Sequence, residues 1–380
     1  MDAAMFSIGN SSSASDNETV VIASNEDLYS YAERVVAAVI CSIICIFGSI
    51  GNSLVIIAVL LSRKLHTPPN VFVVSLATAD LLTSLFLIWD VVALLSSDGW
   101  PLPNAKWLCT MTSFVIFVCI GTSLSNLAAI SLNRYILITK PYRTYQRIYS
   151  PVNIGLMVIF TWICPNLLSL LLSLTKIVGF GYNRKYFICC HFGQQPEDEL
   201  LFILSDVLLI FIVLVVVVLS YIFVLKHVRQ HFKGKRRREV QGIVMQASTS
   251  GNDTERQDRQ RSTTAENSIS QPDPSGQPIR RRENYKDLQV TKNLLLVVVV
   301  FFVCFLPYSF LIIFPRSDSF HLYAILLALM NSCVNPVIYA RRHPHFKIVL
   351  SAMIKCQYQN IPEPTGIAKR FFSRGINPIL

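Results

Sequence analysis

The sequence predicts an all-α membrane protein, a seven-transmembrane helix bundle with a short amphipathic eighth helix, and three observations carry that reading. The 380 residues are 52% hydrophobic and only 15% charged, where a soluble domain carries about 25% charged residues. The apolar residues gather into seven stretches, Val35 to Leu61, Val71 to Leu95, Trp107 to Ile138, Ile154 to Leu174, Leu200 to Leu225, Leu294 to Phe314 and His321 to Ala340. Each reaches the ~20 residues an α-helix needs to cross ~30 Å of hydrocarbon. None shows the strict alternation of a transmembrane β-strand.

The net charge of +11 would suit nucleic acid, but the Lys and Arg residues sit in particular loops between the apolar stretches. Arg63 and Lys64 follow the first stretch, Lys140, Arg143 and Arg147 the third, and Lys233, Lys235 and Arg236 to Arg238 the fifth. Those loops face the cytoplasm by the positive-inside rule, so the partner implied is a lipid bilayer and no nucleic acid. The N-terminus is then outside and the C-terminus inside a plasma membrane. The first stretch is expected to direct insertion itself, because the acidic N-terminus lacks the basic-then-apolar order of a cleavable signal peptide.

The chain divides into an extracellular tail (1–34), the bundle (35–340), an amphipathic membrane-surface helix (341–356) and a cytoplasmic tail (357–380). A polar loop, 227–288, interrupts the bundle and is expected to be disordered at its centre. Phe346, Val349, Leu350 and Ile354 recur at helical spacing among basic residues, which makes 341–356 an interfacial helix. Cys356 at its end reads as a lipidation site or as an unmodified thiol. Asn10 and Asn17 head glycosylation sequons on the outer side. The ten cysteines show no C-x-x-C spacing, so zinc or thiol redox chemistry is not indicated and most read as small core residues.

Polar residues inside a membrane span are costly and usually functional. In order along the chain they are Asn52 after Gly51, Asp80 in Ser75-Leu76-Ala77-Thr78-Ala79-Asp80, and Arg134 in Asn133-Arg134-Tyr135. Trp162, Pro307 in Cys304-Phe305-Leu306-Pro307, and Asn335-Pro336-Val337-Ile338-Tyr339 complete the series. This series, helix after helix, resembles the rhodopsin-like G-protein-coupled receptors across nearly the whole membrane region. The resemblance implies a cell-surface receptor that binds an extracellular small-molecule ligand and activates a heterotrimeric G protein, with arrestin and receptor kinases as further partners.

Asp80 cannot be buried ionised without polar partners or a cation. The resemblance implies a sodium site there, with Ser123, Asn331, Ser332 and Asn335 in the matching positions; the plainer reading is a network of hydrogen bonds joining the helices. No other cofactor is expected. Arg134 reads either as the family's coupling arginine or as a topology-setting charge at the inner membrane edge. Asn133 stands where the family usually has an acid, and Asp287 holds the position of a partner in the helix preceding Pro307. Tyr221 and Tyr339 match two tyrosines of the family's active conformation. Pro307 and Pro336 break backbone ladders. Phe305 replaces the usual tryptophan, Phe301 is the aromatic one turn below, and Val213 replaces a proline.

Cys109 should bond to a cysteine in the loop after the fourth span, where Cys189 and Cys190 compete. That loop, with Phe72-Val73-Val74-Ser75-Leu76 and Asn133-Arg134-Tyr135, is similar to the melatonin-receptor branch, whose register implies a Cys109–Cys190 disulfide, points Phe192 and Gln194 at the ligand, and carries inhibitory coupling. Leu172 departs from that branch. Ile116 occupies the place of the amine receptors' aspartate. Asp90 and Asp206 lie in the outer parts of the second and fifth spans, as anchors for a cationic or hydrogen-bonding ligand or as partners of interior polar groups.

Two other classes compete with a receptor. A transporter or channel would use Asp80, Asp90 and Asp206 as an ion path, but no internal repeat is visible. An enzyme would need a nucleophile, base and oxyanion arrangement or a metal spacing, and none is found. Within the receptor class the alternative is an orphan receptor with constitutive activity. Ser262, Thr263 and Thr264 follow Arg259 and Arg261 in the polar loop, so their phosphorylation would reverse local charge and create an arrestin-binding site.

Overall fold

The computed structural model describes residues 28–97, 99–194, 199–250, 296, 299–313 and 318–375. Helix α1 (Tyr31–Leu61) starts four residues before the predicted span because Ser30 and Glu33 form a capping box. The Ser30 hydroxyl accepts from the Glu33 amide, and Glu33 accepts from the Ser30 amide at 2.8 Å, which satisfies two otherwise orphaned donors. Tyr29, just outside, is buried, and its hydroxyl accepts from the Leu322 amide at 3.1 Å.

The second span is α2 (Pro68–Phe86) and α3 (Ile88–Leu94), with Leu87 between them. Helix α4 (Lys106–Thr139) follows, then a short α5 (Tyr142–Ile148) and α6 (Pro151–Leu174). Ser150 caps α6 and Pro151 opens it, where a missing amide costs nothing. Helix α4 touches α2, α6 and the hairpin that comes next, and so sits at the centre of the bundle. Helix α6 instead presents Val152, Phe160 and Leu174 to lipid.

After α6 comes an element that the apolar patterning did not reveal. Strands β1 (Val178–Asn183) and β2 (Ile188–Gly193) form an antiparallel hairpin with Tyr182 opposite Cys189 and Gly181 opposite Cys190. The Asn183 carboxamide oxygen accepts from the Lys185 amide at 2.9 Å, an Asx turn that starts the reversal. Phe187 closes it with a φ of 55°, and its ring is buried beneath the Arg34 guanidinium at 4.0 Å.

Helix α7 (Glu199–Ser250) runs far beyond the predicted end at Leu225 into the polar loop. Its 52 residues span about 78 Å at 1.5 Å each. Lys, Arg, Gln and Glu after Leu225 exclude burial but are good helix formers, so polarity there does not mean an irregular chain. Helix α8 (Val299–Ile313) is the described part of the sixth span, and α9 (Asp318–Arg342) is the seventh. Among the described residues six helices are long and apolar enough to cross a membrane, and α8 is a shorter apolar one.

Helix α10 (Pro344–Ile354) is the amphipathic helix of the inner surface, burying Phe346, Val349 and Leu350 and exposing Ile348 and Ile354. The tail then turns back, and α11 (Gly366–Gly375) begins beside the inner end of α1.

The disulfide joins Cys109 to Cys189, with Cα atoms 5.2 Å apart, and Cys190 is a free thiol. This corrects the expected Cys109–Cys190 bond. Adjacent residues of a strand point to opposite faces, so a register displaced by one residue exchanges the two cysteines. The backbone amide of Cys189 donates to the Asp90 carboxylate at 2.7 Å, which fixes the register. Cys109→Ser and Cys189→Ser are each expected to cost about 2–5 kcal/mol and most of the surface expression, while Cys190→Ser retains both; surface labelling and melting temperature check this, and a Cys190→Ser defect as severe as the others would refute it.

His343 caps α10, its Nδ1 accepting from the Phe346 amide at 3.4 Å. Burial, with the charges of Arg134 and His345, lowers its pKa from 6.5 to about 4. Since the folded value lies below the unfolded one, the neutral imidazole's contribution is complete above about pH 6.5 and is lost as pH falls toward 4. The loss is on the order of 3 kcal/mol once both states are protonated. His343→Asn keeps a capping acceptor that does not titrate, so its melting temperature should fall less than the wild type's between pH 6.5 and 4; parallel curves would show that His343 does not carry the pH dependence.

Candidate functional site

The outer half of the bundle encloses a cavity of about 280 Å3. Its floor and walls are apolar, including Ile116, Phe117 and Ile120 from α4, Phe305 and Tyr308 from α8, and Leu326 and Leu329 from α9. The hairpin roofs it with Cys189 to Gly193. Asp90 of α3 lines the same space and is buried, with Oδ1 taken by the Cys189 amide. Among the described residues no basic side chain forms an ion pair with Asp90. The arrangement is a shaped, largely apolar pocket with one carboxylate and, at its outer rim, Lys185, His191 and His321, suited to a ligand that is mostly apolar and carries a donor or a positive charge.

Several groups hold that roof in place. Arg34 of α1, only 5% exposed, donates from Nη1 to the Ser96 carbonyl at 2.6 Å and lies over Phe187. Phe117 meets the edge of Phe180 at 5.7 Å and of His191 at 4.8 Å, and Tyr186 stacks on His321 at 5.6 Å. Outside the membrane spans, burial and the charge of Asp90 push the Cys190 thiol up to about 12, so it stays protonated beside the disulfide.

Below the cavity the polar residues of four spans converge. Asp80 of α2 accepts from the Ser123 hydroxyl at 3.0 Å through Oδ1 and from the Asn335 amide at 2.8 Å through Oδ2. The Ser332 side chain also reaches the carboxylate. Asn52 of α1 donates to the Ser332 carbonyl at 2.8 Å and to the Gly48 carbonyl at 2.9 Å. A Cβ on Gly51 would stand 2.9 Å from the Pro336 ring, so only glycine lets α1 approach α9 this closely. The oxygens of Asn331 and Asn335 are buried without a hydrogen-bond partner. Trp162 donates to the Ser75 hydroxyl at 3.0 Å, tying α6 to α2.

Phe305 stacks on Phe301 at 4.3 Å between the cavity and this polar layer, and both share a core with Val213 of α7. Pro307 lies inside α8 and Pro336 inside α9.

At the cytoplasmic end Arg134 is buried, near Tyr221 and His343. Asn133 does not carry a charge; it donates from Nδ2 to the Tyr145 hydroxyl at 3.3 Å, binding α4 to α5. Tyr145 packs against Tyr149 at 5.1 Å, and burial raises the Tyr149 phenol well above its ordinary value. Tyr135 meets Phe223 of α7 at 5.8 Å. Tyr339 stacks on Phe346 of α10 at 5.7 Å, and its hydroxyl is buried without a hydrogen-bond partner.

Of the residues expected at the ligand, Asp90, Ile116, Phe192 and Phe305 line the cavity. Gln194 does not: it is exposed, one residue beyond the end of β2. Cys356 is exposed just after α10. The Asp206 side chain lies outside the described side chains. Asn10, Asn17, Ser262, Thr263, Thr264 and Asp287, with the expected Arg134–Asp287 pair, lie outside the described residues. Sequence reasoning missed Arg34 and Tyr29; the Ser30-x-x-Glu33 signature marks the helix start that would have placed Arg34 inside the bundle.

Comparison with known proteins agrees with this geometry. The chain is similar to the G-protein coupled receptor moody of Drosophila melanogaster, 27% identical over 87% of this chain and 52% of that protein. It is also similar to the Neuropeptide CCHamide-1 receptor of the same species, 25% identical over 80% and 57% respectively, and to the GQ-coupled rhodopsin of Mizuhopecten yessoensis, 26% identical over 84% and 58%. The chain thus spans between about half and three-fifths of the length of these relatives. The crystal structure of squid rhodopsin covers 93% of both chains with a TM-score of 0.66 at 17% identity, which shows a common fold. The signature of the family described as "7 transmembrane receptor (rhodopsin family)" matches residues 51–339, and the chain, a multi-pass membrane protein, belongs to that receptor family.

Proposed function

We propose that this protein is a cell-surface receptor whose outer cavity takes a small extracellular ligand, mostly apolar and bearing a cationic or donor group, and whose inner end activates a heterotrimeric G protein. The observation that carries this reading is the continuity of one packed column. A roofed cavity with a buried carboxylate stands on Phe305, and Phe305 and Phe301 share one hydrophobic core with Tyr339 and with Tyr221, which lies near Arg134. Ligand contacts with Phe305 and Tyr308 bear on α8, the helix weakened by Pro307, so a difference in those contacts between two states of α8 biases its inner end.

The orientation with the N-terminus outside follows from the loop charges and suits the roofed cavity. The melatonin-like reading, drawn from the loop and two span motifs, and its inhibitory coupling find no support among the similar receptors and are not retained. Arrestin and receptor kinases are proposed as regulators through the polar loop.

Asp80, Ser123, Asn331, Ser332 and Asn335 also fit a sodium ion. The unpartnered oxygens of Asn331 and Asn335 are hard donors beside a buried carboxylate, the set that a small monovalent cation takes. When bound, the ion would neutralise Asp80; the chain's own Ser123 and Asn335 orient the carboxylate.

A ligand screen in cells carrying sensors for several G-protein types, with an unliganded control, tests the receptor reading. Concentration-dependent G-protein dissociation, or unliganded dissociation lost in Arg134→Ala, is expected; silence in every sensor from a well-expressed receptor would end it. Asp90→Asn keeps an acceptor for the Cys189 amide, so surface level should hold while potency of a cationic agonist falls roughly tenfold to a hundredfold, the ~1.5–3 kcal/mol of a charge-assisted hydrogen bond. An unchanged potency would remove Asp90 from the ligand site.

The ion site is tested without a ligand. Purified receptor should melt at higher temperature in sodium chloride than in N-methylglucamine chloride of equal ionic strength, and Asp80→Asn should abolish the difference. Equal melting of the wild type in both salts would reject sodium.

A further inference from the structure

We infer that the C-terminal segment from Ile361 to Gly375 is a second membrane-surface anchor, in which α11 binds the anionic lipid headgroups of the inner leaflet beside α1. The segment is clipped to the inner end of α1. The Ser62 hydroxyl donates to the Pro362 carbonyl at 2.6 Å, the Arg63 amide to the Glu363 carbonyl at 2.9 Å, the Thr365 amide to the Leu61 carbonyl at 3.0 Å, and the Thr365 hydroxyl to the Leu60 carbonyl at 2.8 Å. Ser62 and Pro364 pair as an isolated β-bridge, and Ile361 is buried. The clip satisfies carbonyls at the C-terminus of α1 that otherwise have no intrahelical donor.

The place of the clip sets the depth of the helix. Leu60, whose carbonyl holds Thr365, belongs to the exposed apolar stripe of α1 with Phe47, Ile50 and Ile57, the surface that faces lipid. Thr365 therefore fixes the start of α11 where that stripe ends, at the boundary between hydrocarbon and headgroups. Thr365 also caps α11, its hydroxyl accepting from the Ala368 amide at 3.3 Å.

The sequence of α11 suits that boundary. Ala368 is fully buried toward the protein, whereas Ile367 is 62% exposed. By helical register Phe371 falls on the face of Ile367 and Phe372 on the face of Ala368. Lys369 and Arg370 are exposed to the side of that face, Arg374 returns by register to the flank of Ile367, and no acidic residue follows Glu363. Exposed apolar and basic side chains with no acid among them, held level with the headgroups, are complementary to an anionic leaflet. This anchor is distinct from α10, which packs most of its apolar side chains into the bundle.

The test uses the full chain in nanodiscs of phosphatidylcholine alone and of phosphatidylcholine with phosphatidylserine, followed by hydrogen exchange at amides 367–372. Protection is expected to rise in the anionic discs and to collapse toward the neutral value in high salt. Lys369→Gln/Arg370→Gln/Arg374→Gln should lose on the order of a hundredfold of that gain, about fivefold per basic residue, with α10 protection unchanged as the control for a folded receptor. Thr365→Val, which removes the hydroxyl's bond to the Leu60 carbonyl and its cap on the Ala368 amide while keeping every basic residue, should lower protection in both discs. Equal wild-type protection in neutral and anionic discs would overturn the inference, as would protection that arises only on adding a G protein.

Discussion

A carboxylate in the middle of an apolar bundle is stable only where neighbouring helices turn donors toward it, because lipid supplies none. Asp80 imposes that condition on this fold. Ser123 brings in α4, Asn335 brings in α9, and Asn52 joins α1 to α9 through the Ser332 carbonyl. Four spans are thus located by hydrogen bonds whose geometry is directional, where apolar packing against lipid tails would leave rotation and depth loosely set. Once α9 is fixed, Tyr339 meets Phe346 and the seat of α10 follows.

The outer half obeys the same rule with a different donor. Asp90 receives the amide of Cys189, and the neighbouring disulfide ties the same residue to α4. Two constraints on one residue leave the hairpin a single register, and that register decides which side chains see the cavity. The cavity is therefore a consequence of the buried carboxylate as much as of the apolar walls.

The spans were legible because hydropathy over twenty residues is a bulk property, insensitive to register, and the intramembrane polar residues were legible because each is exceptional where it stands. What failed needed single-residue precision or a polar segment's choice of partner. Cys189 and Cys190 differ only in which face of a strand they occupy, and the Asp90 amide contact that decides it joins residues 99 positions apart. Gln194 was misplaced because β2 ends one residue before it. The return of the tail to Ser62, across some 300 positions, rests on backbone hydrogen bonds that leave no mark in composition. The polar stretch after Leu225 read as a linker because polarity excludes burial, yet it does not exclude a helix, and α7 continues to Ser250.

The departures of this chain from its family's usual residues share one physical effect. With Asn at position 133, no carboxylate neutralises Arg134 from the preceding residue; the side chain bonds Tyr145 instead, a neutral contact of about 1 kcal/mol. The restraint on the inner end of α4 has moved from an ion pair within the helix to a hydrogen bond with α5. Arg134 meanwhile has His343 nearby, which burial keeps neutral, so the imidazole adds no repulsion near pH 7. With Phe305 in place of an indole, the side chain stacks on Phe301 of the same helix and has no ring N–H to hold a partner. Both positions hold neutral or purely apolar contacts where the family usually places a polar group.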